Sequence, residues 1–288
     1  MLILALESSA KPASVAVCEV LQSAVGKQSL SKHSYAHMSR PAPNERTPPS
    51  AVTLSECSES DCLPTTHSDV KLLGQYFQNN GFSHSRTLMA MTKSLLKNLA
   101  LNISDINLIA VASGPGSFTG VRIGVSAAKG IAWGADIKVC GVSTPEAMAS
   151  QAFFPETIIC PVMDARRGQV YNALFRWSGG TLERLCEDRA ISLEKLADDL
   201  HSRILEHDEI QRSTTPVTLI GDGASLSNEF LSEKGIICSV PPELMRYQTA
   251  YGVAIAAVSG QQLSAAELEP SYIRPSQAER ERSQSSNN

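Results

Sequence analysis

The sequence predicts an α/β fold of two related halves, each a mixed sheet flanked by helices, and three observations predict it. The first is a strand, turn and helix unit. Leu108–Val111 is apolar and β-branched, Gly114, Gly116 and Gly120 supply a turn, and Val121, Val125, Ala128 and Ala132 then recur at helical spacing. The second is a repeat, in which a buried strand ends in an acid and returns as a hairpin. Leu2–Leu6 leads to Glu7 and a turn through Lys11-Pro12, while Ile158–Met163 leads to Asp164 and a turn through Arg166-Arg167-Gly168. The third is size, since 288 residues at 42% hydrophobic and 19% charged can bury a full core.

Taken in order, the first hairpin returns as Ser14–Val20. Between Gly26 and Ser68 the composition changes, with five of the fifteen prolines, much Ser and Thr and little apolar periodicity, so a Pro/Ser-rich insertion without a packed core is expected over 26–68. Its His33, His37, Cys57, Cys62 and His67 are ligand types that zinc accepts, at spacings that match no known finger. A helix follows from His84, with Leu88, Met91, Leu95 and Leu99 on one stripe and Met89 and Leu96 beside it. Resemblance to a known family implies one more strand between the first hairpin and this helix, and the residue pattern does not place it.

After Leu108–Val111, Ser117 or Thr119 caps the helix through Ala132. Lys138–Val142 is a strand, and Thr144-Pro145 starts a helix. The second hairpin returns over Gln169–Phe175, and Ser192–Ile210 is an acidic amphipathic helix with Asp198-Asp199 on a solvated face. Leu219–Ile220 runs into Gly221-Asp222-Gly223, Tyr247–Val258 is a further helix, and Leu268–Arg274, before a Ser/Gln/Asn-rich end, resembles the final strand of a known family.

Composition narrows the function classes. A formal net charge of −4 argues against a chain that grips nucleic acid unaided, because phosphate binding rests on clustered Lys and Arg. Seven scattered cysteines read as reduced thiols, and with no leader-like start and no long apolar run a cytoplasmic, non-membrane protein is expected. The glycine turn is neither a Walker loop nor Gly-x-Gly-x-x-Gly, and no helix carries His-Glu-x-x-His. Its helix N-terminus could receive an anion, or its small-residue face could admit another backbone.

The run Gly114-Pro-Gly-Ser-Phe-Thr-Gly-Val-Arg-Ile-Gly124, with Met1–Ser9, Met163–Tyr171 and Tyr272–Arg280, resembles the TsaB (YeaZ) family, which helps make threonylcarbamoyladenosine in tRNA. The match spans the chain except for about 26–68. The resemblance implies an actin-like ATPase fold, with an N-terminal subdomain over 1–145, a C-terminal one over 146–275 and a flexible tail over 276–288. It implies a non-catalytic subunit that supports transfer of threonylcarbamoyl to adenosine 37 of tRNAs reading ANN codons. Its partners would be a TsaD-like catalytic subunit holding the metal and a TsaE-like ATPase, with tRNA bound only through the complex and a homodimer when alone.

By the same resemblance the partner interface is a helical bundle, assigned to His84, Leu88, Met91, Leu95, Gly120, Val121, Gly124, Val125 and Ala128. Arg274, Gln277 and Arg280 are candidates for contact with the partner or the tRNA. Glu7, Ser8 and Ser9 with Gly221, Asp222 and Gly223 correspond to nucleotide loops, but Glu-Ser-Ser stands where many relatives have Asp-x-Gly-Thr. Without that glycine the backbone cannot come as close to a phosphate, so weak ATP or ADP binding at most is expected and no cofactor is required. Thr144 and Met148 replace the His pair that carries the metal in TsaD-like enzymes, so no metal is expected here. Two rivals stay open: an ATP-dependent phosphotransferase or ATPase using Glu7 and Asp222, and, ranked last, a metallopeptidase.

Overall fold

The computed structural model describes residues 1–21, 70–80, 84–154, 157–178, 180–206 and 216–274. The 26–68 insertion with its His and Cys residues, and Gln277 and Arg280, lie outside the described residues. Within the described part the chain builds two sheets, and the first has the order β3-β2-β1-β4-β5. It comprises β1 (Leu2–Glu7), β2 (Ala13–Val20), β3 (Val70–Gln78), β4 (Leu108–Gly114) and β5 (Lys138–Ser143). β1 pairs antiparallel with β2 and parallel with β4, as a hairpin followed by a helical crossover requires.

Helices α1 (His84–Asn98) and α2 (Phe118–Ala135) cover one face of this sheet. Leu88, Leu95, Val121, Val125 and Ala128 pack there on Leu4, Leu6, Val15, Val17, Ile109 and Val111. The other face carries smaller side chains, Ala5, Ala16, Ala110 and Ala112, against Ala147 of α3 (Thr144–Gln151) and Ala250, Val253, Ala254 and Ala257 of α6 (Ala250–Ala257). Small residues on both sides let helix and sheet backbones come close.

The second sheet is built on β6 (Ile158–Asp164) and has β10-β7-β6-β11-β12 as its main order, with β8 on β6 and β9 on β8. Its other strands are β7 (Gln169–Asn172), β8 (Phe175–Ser178), β9 (Thr181–Arg184), β10 (Arg189–Ser192), β11 (Val217–Ile220) and β12 (Cys238–Ser239). Helices α4 (Leu193–Glu206) and α5 (Ala224–Glu233) line one face through Leu196, Leu200, Ala224 and Leu231. Met148 and Ala149 of α3, with Ala152 just past its end, join Ile159, Met163 and Phe175 on the other, so α3 contributes to a core on each sheet.

Three sequence expectations change. The strand expected over Gln169–Phe175 is two, β7 and β8, which keep one register along β6. By that register the break faces Pro161, which has no N–H for a ladder, and the buried Asn172 amide donates instead to the carbonyls of Pro161 and Ala173, both at 2.9 Å. Leu268–Arg274 is an extended strap and not a strand: Ser271 N–H donates to Ser113 O at 2.7 Å, and Leu268 is buried under α2. Asp199 of α4 is not simply solvated, because it accepts from Arg189 at 2.5 Å and from Arg203 at 2.9 Å.

The β6–β7 turn has a distinct backbone. Arg166, Arg167 and Gly168 have φ of 64°, 57° and 67°, and Gln169 N–H donates to Arg166 O at 3.3 Å around the last two. Positive φ at both central positions suits a tight hairpin, but left-handed geometry costs a non-glycine residue roughly 1–2 kcal/mol.

Candidate functional site

The two hairpins and the β11 loop converge, and the side chains predicted for nucleotide binding come together there. Glu7 ends β1 fully buried, and burial, offset in part by hydrogen bonds from Ser9 and reinforced by the nearby Asp222 carboxylate, pushes its pKa up to about 7. Asp222 is held above the usual carboxylate range chiefly by burial, against a backbone hydrogen bond from Asp164, with Lys11 close enough to lower it. Glu7 Oε2 and Asp222 Oδ1 are buried without a partner among the described residues.

Three backbone donors of these turns are taken. Ser9 N–H and its hydroxyl both donate to Glu7 Oε1 at 2.6 Å. Gly221 N–H donates to Arg246 O at 2.7 Å, and Gly223 N–H to Val162 O at 3.1 Å. Ser8 is buried, its hydroxyl donating to Gly120 O at 2.9 Å. An anion arriving here meets two carboxyl groups, with Lys11 near Asp222, and none of these three amides.

The glycine turn has a different use from the reception of an anion. Ser117 caps α2, accepting from Gly120 N–H at 3.3 Å, and its own N–H donates to Ser9 O at 2.6 Å. A Cβ on Gly120 would run into the Ser8 carbonyl, and one on Gly124 would stand 2.6 Å from Ser8 Oγ. The small face of α2 therefore admits the protein's own first hairpin.

This corrects the predicted interface. Leu88, Leu95, Gly120, Val121, Gly124, Val125 and Ala128 are buried against the first sheet, and Met91 packs partly buried against the same core. His84 Nε2 bonds Ala10 O at 2.8 Å and ties α1 to the first hairpin. An apolar stripe at helical spacing records which side of a helix is covered, and a sheet of the same chain covers this one. The open sides of α1 and α2 form a groove lined by Met89, Phe118, Arg122, Ile123, Ser126 and Ala127. Met89 is 47% exposed, and Trp133 further along α2 is 79% exposed. The Arg122 guanidinium lies 3.9 Å over Phe118 and donates to the Tyr272 hydroxyl at 2.7 Å, so the strap fixes one end of the groove. The sequence placed Met89 beside the α1 stripe but did not assign it or the α2 residues Ile123 and Trp133 to an open face, although these are apolar side chains off the buried stripe.

Thr144 and Met148 are fully buried, Met148 beside Ile159, Met163 and Phe175. Among the described residues no three His, Cys, Asp or Glu side chains gather as a metal centre, and no helix is long and apolar enough to cross a membrane. Cys18, Cys140 and Cys160 are free and buried.

Known proteins match this chain over most of its length. A family model described as TsaD: tRNA N6-adenosine threonylcarbamoyltransferase matches residues 80–281. The tRNA threonylcarbamoyladenosine biosynthesis protein TsaB of Bacillus subtilis is 33% identical over 215 residues, 72% of this chain and 87% of that one. The Haemophilus influenzae protein of the same name is 29% identical, over 67% of this chain and 80% of its own. The solved structure of YeaZ from Pseudomonas aeruginosa superposes with a TM-score of 0.60 at 18% identity, covering 94% of this chain and 99% of that one. That likeness carries the actin-like fold.

Proposed function

The chain belongs to the TsaB family of tRNA threonylcarbamoyladenosine biosynthesis proteins, and on that premise we propose that it is the non-catalytic subunit of the threonylcarbamoyl transferase complex. It binds a TsaD-like catalytic subunit through the open face of α1 and α2, supporting modification of adenosine 37 in tRNAs reading ANN codons. The partner supplies the metal and the chemistry, a TsaE-like ATPase joins the assembly, and in the partner's absence the same face pairs with a second copy.

One observation carries the non-catalytic part: the amides of Ser9, Gly221 and Gly223 are all bonded within the chain while Glu7 and Asp222 stand at the same place. Phosphoryl chemistry needs donors aimed at the phosphates as well as a cation, and this site offers carboxyl groups that suit a cation without these three amide donors. The test is calorimetry with ATP and Mg²⁺, beside tRNA modification assayed with this chain alone and with the TsaD-like and TsaE-like subunits. No heat with ATP, and modification only with the complete set, is expected. Tight ATP binding lost in Glu7→Ala, or transferase activity from this chain alone, would replace the reading with an enzyme of the same fold.

A further inference from the structure

The chain is acidic overall, yet one projecting point concentrates positive charge. The tip of the β6–β7 hairpin carries Arg166 and Arg167, both exposed, and a Cβ on the adjacent Gly168 would meet nothing within 4 Å. Arg274 of the C-terminal strap reaches the same turn, its Nη1 donating to Ala165 O at 3.2 Å.

The other arginines of the second sheet and its helices are engaged. Arg176 pairs with Glu183, Arg184 with Glu146 and Asp188, and Arg189 and Arg203 with Asp199. Neither Arg166 nor Arg167 has an ion pair among the described residues. The Asp164 carboxylate accepts from Arg166 N–H at 2.6 Å, so it holds the turn's backbone and leaves the guanidinium outward. Both arginines occupy left-handed backbone that Gly, Asn or Asp would fill with less strain. The turn thus keeps two charged side chains where its own geometry disfavours them.

We propose that this tip, Arg166 and Arg167 with Arg274 behind them, is a binding site for the sugar–phosphate backbone of RNA. A small anion needs an enclosing pocket, whereas a convex tip with two outward guanidinium forks suits successive phosphates of an extended polyanion. The loop beside it repels a phosphate that would penetrate, because Asp222 packs against Asp164 and faces Glu7. Contact is therefore limited to the rim. The inference rests on the proposed function in that the RNA is the tRNA substrate, which this subunit helps to hold while the partner carries out the transfer.

The test replaces both arginines by the uncharged residue that left-handed backbone accepts best after glycine, Arg166→Asn with Arg167→Asn. Unmodified tRNA transcript is titrated by fluorescence anisotropy at several salt concentrations, with the assembled complex and with this chain alone at low salt. The double variant should melt no lower than wild type. Its tRNA affinity should fall about tenfold or more, and the slope of log K against log salt should shrink by about two, since each phosphate contact contributes about 0.9. Arg166→Lys with Arg167→Lys, which keeps the charge, should keep the slope.

Unchanged affinity and slope in the asparagine variant overturn the assignment. So does weakened subunit assembly with unchanged tRNA affinity, which would make the tip a protein contact. Light scattering before RNA is added separates the two readings. If wild type forms no complex, the proposed function fails, and the titration of the chain alone still decides the tip: binding that the asparagine variant loses supports it, and no binding or no loss overturns it.

Discussion

Glu7 Oε1 accepts both the N–H and the hydroxyl of Ser9 at 2.6 Å, so the acid at the end of the first strand is bonded to its own turn. Two good hydrogen bonds favour the charged form, yet burial outweighs them and the pKa rises from 4.5 to about 7. The remaining oxygen, Oε2, has no partner among the described residues and is where the proton would sit.

Stability should therefore depend on pH in a definite direction. Below pH 4.5 Glu7 is protonated in both folded and unfolded chains and costs nothing. As pH rises from 4.5 to about 7 the unfolded chain ionises first, so stability falls, by on the order of 3 kcal/mol from this group, and then levels off. Glu7→Gln keeps an acceptor for Ser9 and removes the titration. In urea denaturation it should match wild type near pH 4.5 and exceed it near pH 8.

Two glycines of α2 should respond in opposite senses to the same added methyl. Gly120→Ala drives a Cβ into the Ser8 carbonyl and should destabilise by about 2–4 kcal/mol. Gly130 is exposed, and a Cβ there meets nothing within 4 Å, so Gly130→Ala should stabilise by about 0.5–1 kcal/mol through helix propensity. Thermal melts of the two variants check the pair.

The buried thiols should be inert in the folded protein. Burial pushes Cys18 up to about 12 and Cys140 up to about 11, with Glu146 adding to the latter, and Cys160 rises further. Since the thiolate is the nucleophile, alkylation at pH 8 followed by mass spectrometry should leave these three unlabelled until denaturant is added.

Much of the fold was legible because strong local signals agreed with their tertiary setting. The β1 and β6 runs, their acidic ends and the glycine turn into α2 all lie where the residue pattern placed them. β3 was not legible, and its register explains why. The pairing slips between Val17 and Cys18, so Leu73 is an extra residue next to Gly74 and the apolar alternation of Val70–Gln78 is interrupted. The α1 and α2 stripes were visible, but what covers them was not, since periodicity reports burial without naming the neighbour. Leu88 and Val125 face the first sheet, and Met89 and Ile123 line the groove outside it. The convergence of Glu7 with Asp222 joins positions far apart in sequence, and only their shared likeness to nucleotide loops pointed to it.

The two sides of these helices should separate in mutagenesis. Leu88→Ala and Val125→Ala remove core contacts, and each should lower stability, Leu88→Ala by about 2–4 kcal/mol. Met89→Glu changes the open side and should stay within about 0.5 kcal/mol of wild type in urea denaturation, whereas Ile123, which lines the groove but is partly buried against the same core, should cost more when replaced by Glu.

The central claim, a scaffold acting through the open face of α1 and α2, is tested most directly by light scattering. This chain and its Met89→Glu variant are each mixed with the TsaD-like subunit of the same organism, with threonylcarbamoyladenosine in tRNA measured in parallel. The account predicts a one-to-one complex that restores modification for wild type, and neither complex nor restoration for a variant that melts normally. A variant that assembles and restores modification as well as wild type would contradict the assigned face, and a wild-type chain that does neither would contradict the scaffold itself.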